Sequence, residues 1–104
     1  MPNRLTQQQR SRKLKAYRKE QSRLAWERDE GICQRCGRAG VDVHHVYGHF
    51  ATWDETFKMH ERYERADRLV VLCRECHMRC HNEVPLIPKD EIVKILERVL
   101  REVA

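Results

Sequence analysis

The last segment of the chain has the clearest periodic pattern of apolar and polar positions. Pro88 opens this segment, and two acids, Asp90 and Glu91, stand where the first turn of a helix would lie. Apolar residues then recur at the spacing of one helical stripe, namely Ile92, Ile95, Leu96, Val99, Leu100 and Val103. The pattern predicts a C-terminal amphipathic helix that packs on the rest of the domain or on a second subunit.

The N-terminal segment has few bulky apolar positions among many polar ones. From Leu5 to about Asp29 it contains no Gly or Pro and is rich in Gln, Arg, Lys, Glu and Leu, which predicts one long helix. Thr6 is suited to be its N-cap, and Gly31 stands where the helix would end. Because the apolar positions are too sparse for a fully packed helix, we expect its first half to be exposed or to dock only on a bound partner.

Two short apolar runs in the middle of the chain, residues 41–46 and 69–72, favour strands. Between them, residues 49–67 are polar and aromatic with weak periodicity, which indicates a loop containing a helical turn or two. Residues 74–82 contain no helix breaker and predict a short helix that ends before Pro85. Together these elements predict a small α+β fold.

Length and composition limit how much of this fold apolar burial can stabilise. The chain has 104 residues, of which 40% are hydrophobic, and its mean hydropathy is −0.82. A domain of this size buries only about 60–65% of the surface that its unfolded chain exposes, so we expect something besides burial to hold it together. No window approaches about 18 consecutive apolar residues, and the N-terminus is polar and basic. We therefore expect neither a membrane span nor a secretory signal, and we expect a cytoplasmic location.

The net charge of +5 comes entirely from the N-terminal segment. Residues 1–30 hold nine basic and four acidic side chains, whereas residues 31–104 hold equal numbers of each. A basic stretch before a neutral body indicates attachment to a polyanion such as DNA, although a solvated helix face would give the same pattern. The candidates for contacts with phosphates are Arg10, Arg12, Lys13, Lys15, Arg18 and Lys19.

The cysteines form two C-x-x-C pairs, Cys33 with Cys36 and Cys73 with Cys76, and leave Cys80 as a spare thiol. Each pair can present two thiolates to one side of a tetrahedral ion, so two pairs predict a closed structural zinc site. Its binding free energy would become folding free energy and offset the thin apolar core. Cys73 to His77 also matches the C-x-x-C-H pattern of haem attachment, but that interpretation leaves the first pair unexplained.

Four of the six histidines have a spacing that suggests a second metal centre. His77 and His81 are four residues apart on the predicted short helix, so both imidazoles project from one face. His44 and His45 lie at the end of the first predicted strand. If zinc ties the two cysteine pairs together, the two pairs of histidines approach each other. Unlike four thiolates, such a centre can leave positions open for water and substrate.

These residues resemble one family of enzymes, the HNH endonucleases of the ββα-metal (His-Me finger) class whose finger is braced by a four-cysteine zinc. The resemblance covers about residues 31–84. It rests on the two cysteine pairs, the double histidine and the cassette C-x-x-C-H-x-x-x-H, which occur together and in this order. It implies two strands and a helix that hold one divalent ion against a scissile phosphodiester.

The resemblance also implies a role for each histidine. His44, His77 and His81 would bind the catalytic Mg²⁺, Mn²⁺, Ni²⁺ or Zn²⁺, and His45 would be the general base of a DNA endonuclease. The products would carry 5′-phosphates and 3′-hydroxyls. Standalone proteins of this type resemble phage nucleases that act with packaging or replication proteins, in the cytoplasm of a bacterium or a phage-infected host.

The sequence departs from the family pattern at Arg68, where the family has its middle asparagine. Arginine cannot accept a hydrogen bond, but its guanidinium can contact a phosphate as part of the catalytic site. The alternative is a non-catalytic zinc-finger module that binds DNA or protein and has a degenerate site. In either case we expect a basic helical segment (1–30), a zinc finger (31–84) and a C-terminal helix (85–104) within one compact domain.

Overall fold

The computed structural model of the chain describes residues 6–48, 64–81 and 85–103. In chain order these form helix α1 (Gln7–Arg28), strand β1 (Asp42–His45), a 3-10 helix (Ala66–Arg68), strand β2 (Leu69–Leu72), helix α2 (Arg74–His81) and helix α3 (Lys89–Glu102). The predicted small α+β class is confirmed. The loop predicted over residues 49–67 lies outside the described residues up to position 63. Among the residues that the structure describes, no helix has both the length and the apolar character to cross a membrane.

Helix α1 begins where the sequence predicts. The Thr6 hydroxyl accepts a hydrogen bond from the Gln9 backbone N at 3.1 Å, and the Gln9 side chain accepts one from the Thr6 backbone N at 2.8 Å. This capping box satisfies two backbone donors of the first turn. After Arg28 the chain turns through Glu30 and Gly31, whose φ angles of +56° and +65° end the helix.

The expectation that the first half of α1 is exposed is wrong at Leu14. Its side chain is 2% exposed, so this part of the helix is packed without a partner. A single apolar residue per two turns gives no periodic signal, which is why the sequence pattern did not indicate its burial.

The two strands pair antiparallel, with Asp42 opposite Leu72 and His45 opposite Leu69. All four residues of β2 are buried. Val70 and Leu72 belong to the hydrophobic core that α3 completes, and alternate residues of β2 face the other side, where α1 contacts the strand. Because β2 lies between two helices, its sequence is a continuous apolar run rather than an alternating one.

A buried ion pair at the end of α1 forms hydrogen bonds with backbone groups on the edge of β2 that does not face β1. The Arg28 guanidinium contacts both carboxylate oxygens of Asp29, at 2.8 and 3.0 Å, and Asp29 is 3% exposed. The other partners of this pair lie on β2: the Val71 backbone N donates to Asp29 Oδ2 at 2.9 Å, and Arg28 donates to the Leu69 carbonyl. The Gln34 backbone N bonds the Val71 carbonyl at 3.0 Å. These contacts satisfy edge groups that a two-stranded sheet would otherwise leave open.

Helix α3 is confirmed as the amphipathic helix that the sequence predicts. The buried residues of its stripe are Ile92, Leu96 and Val99. Two polar contacts fix it beside the first cysteine pair: Arg35 bonds Glu91 at 2.8 Å, and Arg98 donates to the Gln34 carbonyl at 2.8 Å. Val103, the last residue of the stripe, is 57% exposed. Because Ile92 and Leu96 belong to the hydrophobic core of the same chain, the helix packs on its own domain.

Candidate metal centres

The four cysteines of the two C-x-x-C pairs meet, as predicted. Cys33 and Cys36 lie in a tight turn that a Gly37 N to Cys33 O hydrogen bond of 2.9 Å closes. Cys73 and Cys76 lie where β2 passes into α2, and the Cys76 backbone N points at the Cys73 sulfur from 3.4 Å. The four Sγ atoms all lie within 4.8 Å of one another.

The spacing of these sulfurs fits a tetrahedral thiolate site. Cys36 Sγ and Cys73 Sγ are 3.6 Å apart. Four Zn–S bonds of about 2.3 Å place neighbouring sulfurs roughly 3.8 Å apart in a tetrahedron. The cluster is therefore positioned to hold a metal ion and is compatible with structural zinc.

The surroundings of the cluster shift the pKa values of two of its thiols in opposite directions. Burial opposes ionisation of Cys33, but the backbone N–H groups of Cys36, Cys73 and Arg35 outweigh it and lower the Cys33 pKa to about 7. Burial raises the pKa of Cys76 to about 12. The Arg35 guanidinium lies 3.7 Å from the Cys76 sulfur and favours its thiolate. Because zinc with four thiolates carries a net charge of about −2, this nearby cation would stabilise the loaded site.

Cys80 lies outside the four-cysteine cluster and packs against the hydrophobic core. Burial raises the pKa of its thiol, so the side chain stays neutral. Its position agrees with the prediction of a spare thiol beside the site.

Three histidines form a second cluster on the sheet and α2. His44 comes from β1, and His77 and His81 come from α2. Their ring centres lie 5.0, 5.1 and 5.0 Å apart in edge-to-face orientations, and one nitrogen of each lies within 4.8 Å of the others. His44 is buried, whereas His81 is exposed. The cluster offers three imidazole nitrogens with one side toward solvent, which is the donor set of an open metal site.

An acid that the sequence pattern did not indicate lies beside one of these imidazoles. Asp42 Oδ2 lies 3.1 Å from His77 Nδ1 and 3.0 Å from Arg74 Nε. Because Asp42 precedes His44 by two positions on β1, both project from the same face of the strand. A carboxylate beside one imidazole nitrogen favours a hydrogen there and leaves the other nitrogen to bind a metal ion. The period of two along the strand could have predicted this residue.

His45 projects from the opposite face of β1 to His44 and has different neighbours. Its Nε2 atom lies 2.6 Å from Glu64 Oε2. Glu64 is 1% exposed, and its other carboxylate oxygen lies 3.0 Å from Arg18 Nε. No local spacing in the sequence connects Glu64 with His45 or with α1, so the sequence pattern did not indicate this residue.

Arg68 contacts an aromatic side chain through its guanidinium group. Its guanidinium lies over the ring of Tyr47, 4.5 Å from the ring centre, in a cation–π contact. Its backbone carbonyl accepts a hydrogen bond from Val46 N at 3.1 Å and continues the strand pairing.

The basic residues proposed for phosphate contacts all lie on α1. Arg12, Lys13, Lys15 and Lys19 are exposed, and Arg10 is half-exposed. Arg18 differs from them because its guanidinium pairs with buried Glu64. The helix has no acid in its first turn, so its N-terminal half keeps the positive charge that the sequence predicts.

No match was found among protein-family models, curated proteins or solved structures.

Proposed function

We propose that this protein is a metal-dependent DNA endonuclease of the HNH type, which hydrolyses phosphodiester bonds with one divalent ion and a histidine base. The observation that carries the proposal is the meeting of His44, His77 and His81 where a two-stranded sheet passes into a helix. His45 follows His44 directly and ends the strand, where two adjacent side chains can serve one centre. These histidines are among the residues on which the resemblance to HNH enzymes rests.

The three-histidine cluster would hold the catalytic ion, and the family resemblance implies Mg²⁺, Mn²⁺, Ni²⁺ or Zn²⁺. When bound, such an ion supplies a Lewis acid for a phosphate oxygen and for the departing oxygen. Neutral imidazole ligands suit this role because they leave the positive charge of the ion for the phosphate. The exposed side at His81 gives a large polyanion access to the site.

His45 would take a proton from the attacking water. Imidazole is the side chain that exchanges protons most readily near neutral pH. The basic face of α1 would contact the DNA backbone through Arg10, Arg12, Lys13, Lys15 and Lys19. Such contacts position a duplex without reading its sequence.

The four-cysteine cluster would hold structural zinc and stabilise the fold without taking part in hydrolysis. Four thiolates fill a tetrahedral shell and leave no position for substrate. Loss of this zinc should therefore unfold the domain, whereas loss of the histidine-bound ion should stop cleavage in a folded protein.

The test is nicking of supercoiled plasmid by the zinc-loaded protein with added Mg²⁺, Mn²⁺, Ni²⁺ or Zn²⁺. We expect the wild type to nick DNA with at least one ion, and His45→Ala, purified in the same way, to be folded and inactive. Equal activity in both proteins would indicate a contaminating nuclease and reject the role of His45.

A second candidate function is a non-catalytic zinc module that binds DNA or protein. The contact of Arg68 with Tyr47 favours it, because the arginine stands at the position of the family's asparagine and is engaged by an aromatic ring. DNA binding by the wild type without cleavage in any of the four ions would support this function and reject the nuclease.

A further inference from the structure

Three side chains in contact with one another connect α1 with the candidate base, His45. His45 Nε2 lies 2.6 Å from Glu64 Oε2, and Glu64 Oε1 lies 3.0 Å from Arg18 Nε. The three residues come from β1, from the segment before the 3-10 helix and from α1. They are 27 and 19 positions apart in sequence, so only the tertiary fold brings them together.

His45 and Arg18 both compensate for the burial of Glu64. The residue is 1% exposed, and a buried carboxylate is stable only when it is paired and hydrogen-bonded. Arg18 supplies the opposite charge, and its side chain is the more exposed of the pair, at 41%. An ionised carboxylate has no hydrogen to donate, so His45 must donate from Nε2.

We propose that Glu64 is the positioning residue of His45 and that Arg18 holds it in place, so that α1 is part of the catalytic apparatus as well as a DNA-binding helix. With the hydrogen fixed on Nε2, the Nδ1 lone pair is the one that can accept a proton from water. The role of His45 as base rests on the proposed function, whereas the tautomer and its dependence on Glu64 and Arg18 can be tested without it.

Arg18 consequently differs from the neighbouring cations of α1. Lys19 is exposed, next to it in sequence, and suited to a phosphate contact. Removing a phosphate contact weakens DNA binding and raises KM, whereas removing the anchor of the base lowers kcat. The pair Arg18 and Lys19 therefore provides a matched comparison on one helix.

The experiment is a two-bond proton–nitrogen correlation spectrum of the zinc-loaded, ¹⁵N-labelled chain at pH 8, with the His45 signals assigned from His45→Ala. We expect the wild type to carry its hydrogen on Nε2. Glu64→Ala should give a mixture of the two tautomers, and Arg18→Met should move the His45 nitrogen signals in the same direction. Lys19→Met should leave them in place. Glu64→Met keeps the side-chain volume and replaces Glu64→Ala if the smaller side chain prevents folding.

A wild-type His45 with its hydrogen on Nδ1, or signals unchanged by both the Glu64 and Arg18 variants, would overturn the inference. On plasmid DNA we expect the Glu64 variant to lose about 100-fold in kcat at similar KM. A Glu64 variant with raised KM and wild-type kcat would also overturn it. If the wild type cuts no DNA with any ion, the proposed function fails, and the spectra still decide whether Glu64 and Arg18 position His45.

Discussion

Asp42 and His77 form a contact in which Oδ2 of the acid lies 3.1 Å from Nδ1 of the imidazole. The contact lacks hydrogen-bond geometry, but a carboxylate at this distance favours the hydrogen on Nδ1, which would leave Nε2 to bind an ion. Asp42 is on the same strand face as His44. Strand β1 therefore supplies one candidate ligand and the group that orients a second.

Replacing Asp42 should weaken metal binding at the histidine cluster without unfolding the protein. We expect Asp42→Ala to lower the affinity of zinc-loaded protein for Mn²⁺ or Ni²⁺ by about 10–100-fold, because the His77 ring loses the partner that fixes its orientation. Titration calorimetry measures this affinity. The matched control is Glu75→Ala, which removes an exposed acid of α2 whose ion pair is with Arg38 on the surface. Equal affinities in the two variants would contradict the orienting role of Asp42.

The two clusters should respond differently to loss of a ligand. Cys33→Ser should abolish tight zinc binding and cooperative unfolding, because about 10–16 kcal/mol of binding free energy supports the fold at such a site. His81→Ala should keep both, since its side chain is exposed and contributes to the second cluster only. Zinc content and thermal unfolding by circular dichroism distinguish the two variants. If both unfold, the division into a structural and a functional centre is wrong.

Zinc affinity should fall as the pH is lowered. In the metal-free protein Cys76 holds its proton at pH 7, because burial raises its pKa to about 12, and Cys33, with a pKa of about 7, is partly protonated. Zinc binds thiolates, so these protons must leave when it binds and they compete with it as their concentration rises. We expect at least a tenfold loss of affinity per pH unit below pH 7, measured by competition with a chromophoric chelator. An affinity independent of pH would mean that thiolates do not hold the ion.

The buried pair of Arg28 and Asp29 should contribute far more to stability than an exposed pair on the same helix. We expect Asp29→Ala to lower the free energy of unfolding by about 3–5 kcal/mol, because it leaves Arg28 without its buried counter-charge and opens the edge of β2. Denaturant titration of the zinc-loaded protein measures this change. Arg23→Ala removes ion pairs with two exposed acids and should leave the free energy of unfolding nearly unchanged. Similar losses in both variants would rule out the edge-completing role of Asp29.

The exposed cations of α1 should determine the salt dependence of DNA binding. Each lysine that contacts a phosphate adds about 1 to the slope of log affinity against log salt concentration. We therefore expect Lys15→Ala combined with Lys19→Ala to reduce this slope by about 2, as measured by fluorescence anisotropy with a labelled duplex. An unchanged slope would show that this face of α1 does not contact DNA.

Local patterns predicted the elements and the two sets of candidate metal ligands. The capping residue Thr6, the apolar stripe of α3 and the short spacings within each cysteine pair are all visible within a few positions of the sequence. Zinc chemistry then predicts that the two pairs meet, and the meeting of the histidines follows from it.

The missed residues are those whose partners are distant in sequence. Glu64 contacts His45 across 19 positions and Asp29 contacts Val71 across 42, and neither contact leaves a periodic signal. The stacking of Arg68 on Tyr47 was also missed, since cation–π contacts depend on tertiary placement.

The central claim is that occupancy of the three-histidine cluster makes the zinc-loaded protein cut DNA. The direct measurement is a titration of one active divalent ion, in which binding to the protein and cleavage of an end-labelled duplex are followed together. We expect cleavage to rise in proportion to occupancy of one site per chain, and His77→Ala to lose both while it retains its structural zinc. Saturated binding at this site with no cleavage of DNA, or cleavage that persists in His77→Ala, would contradict the claim.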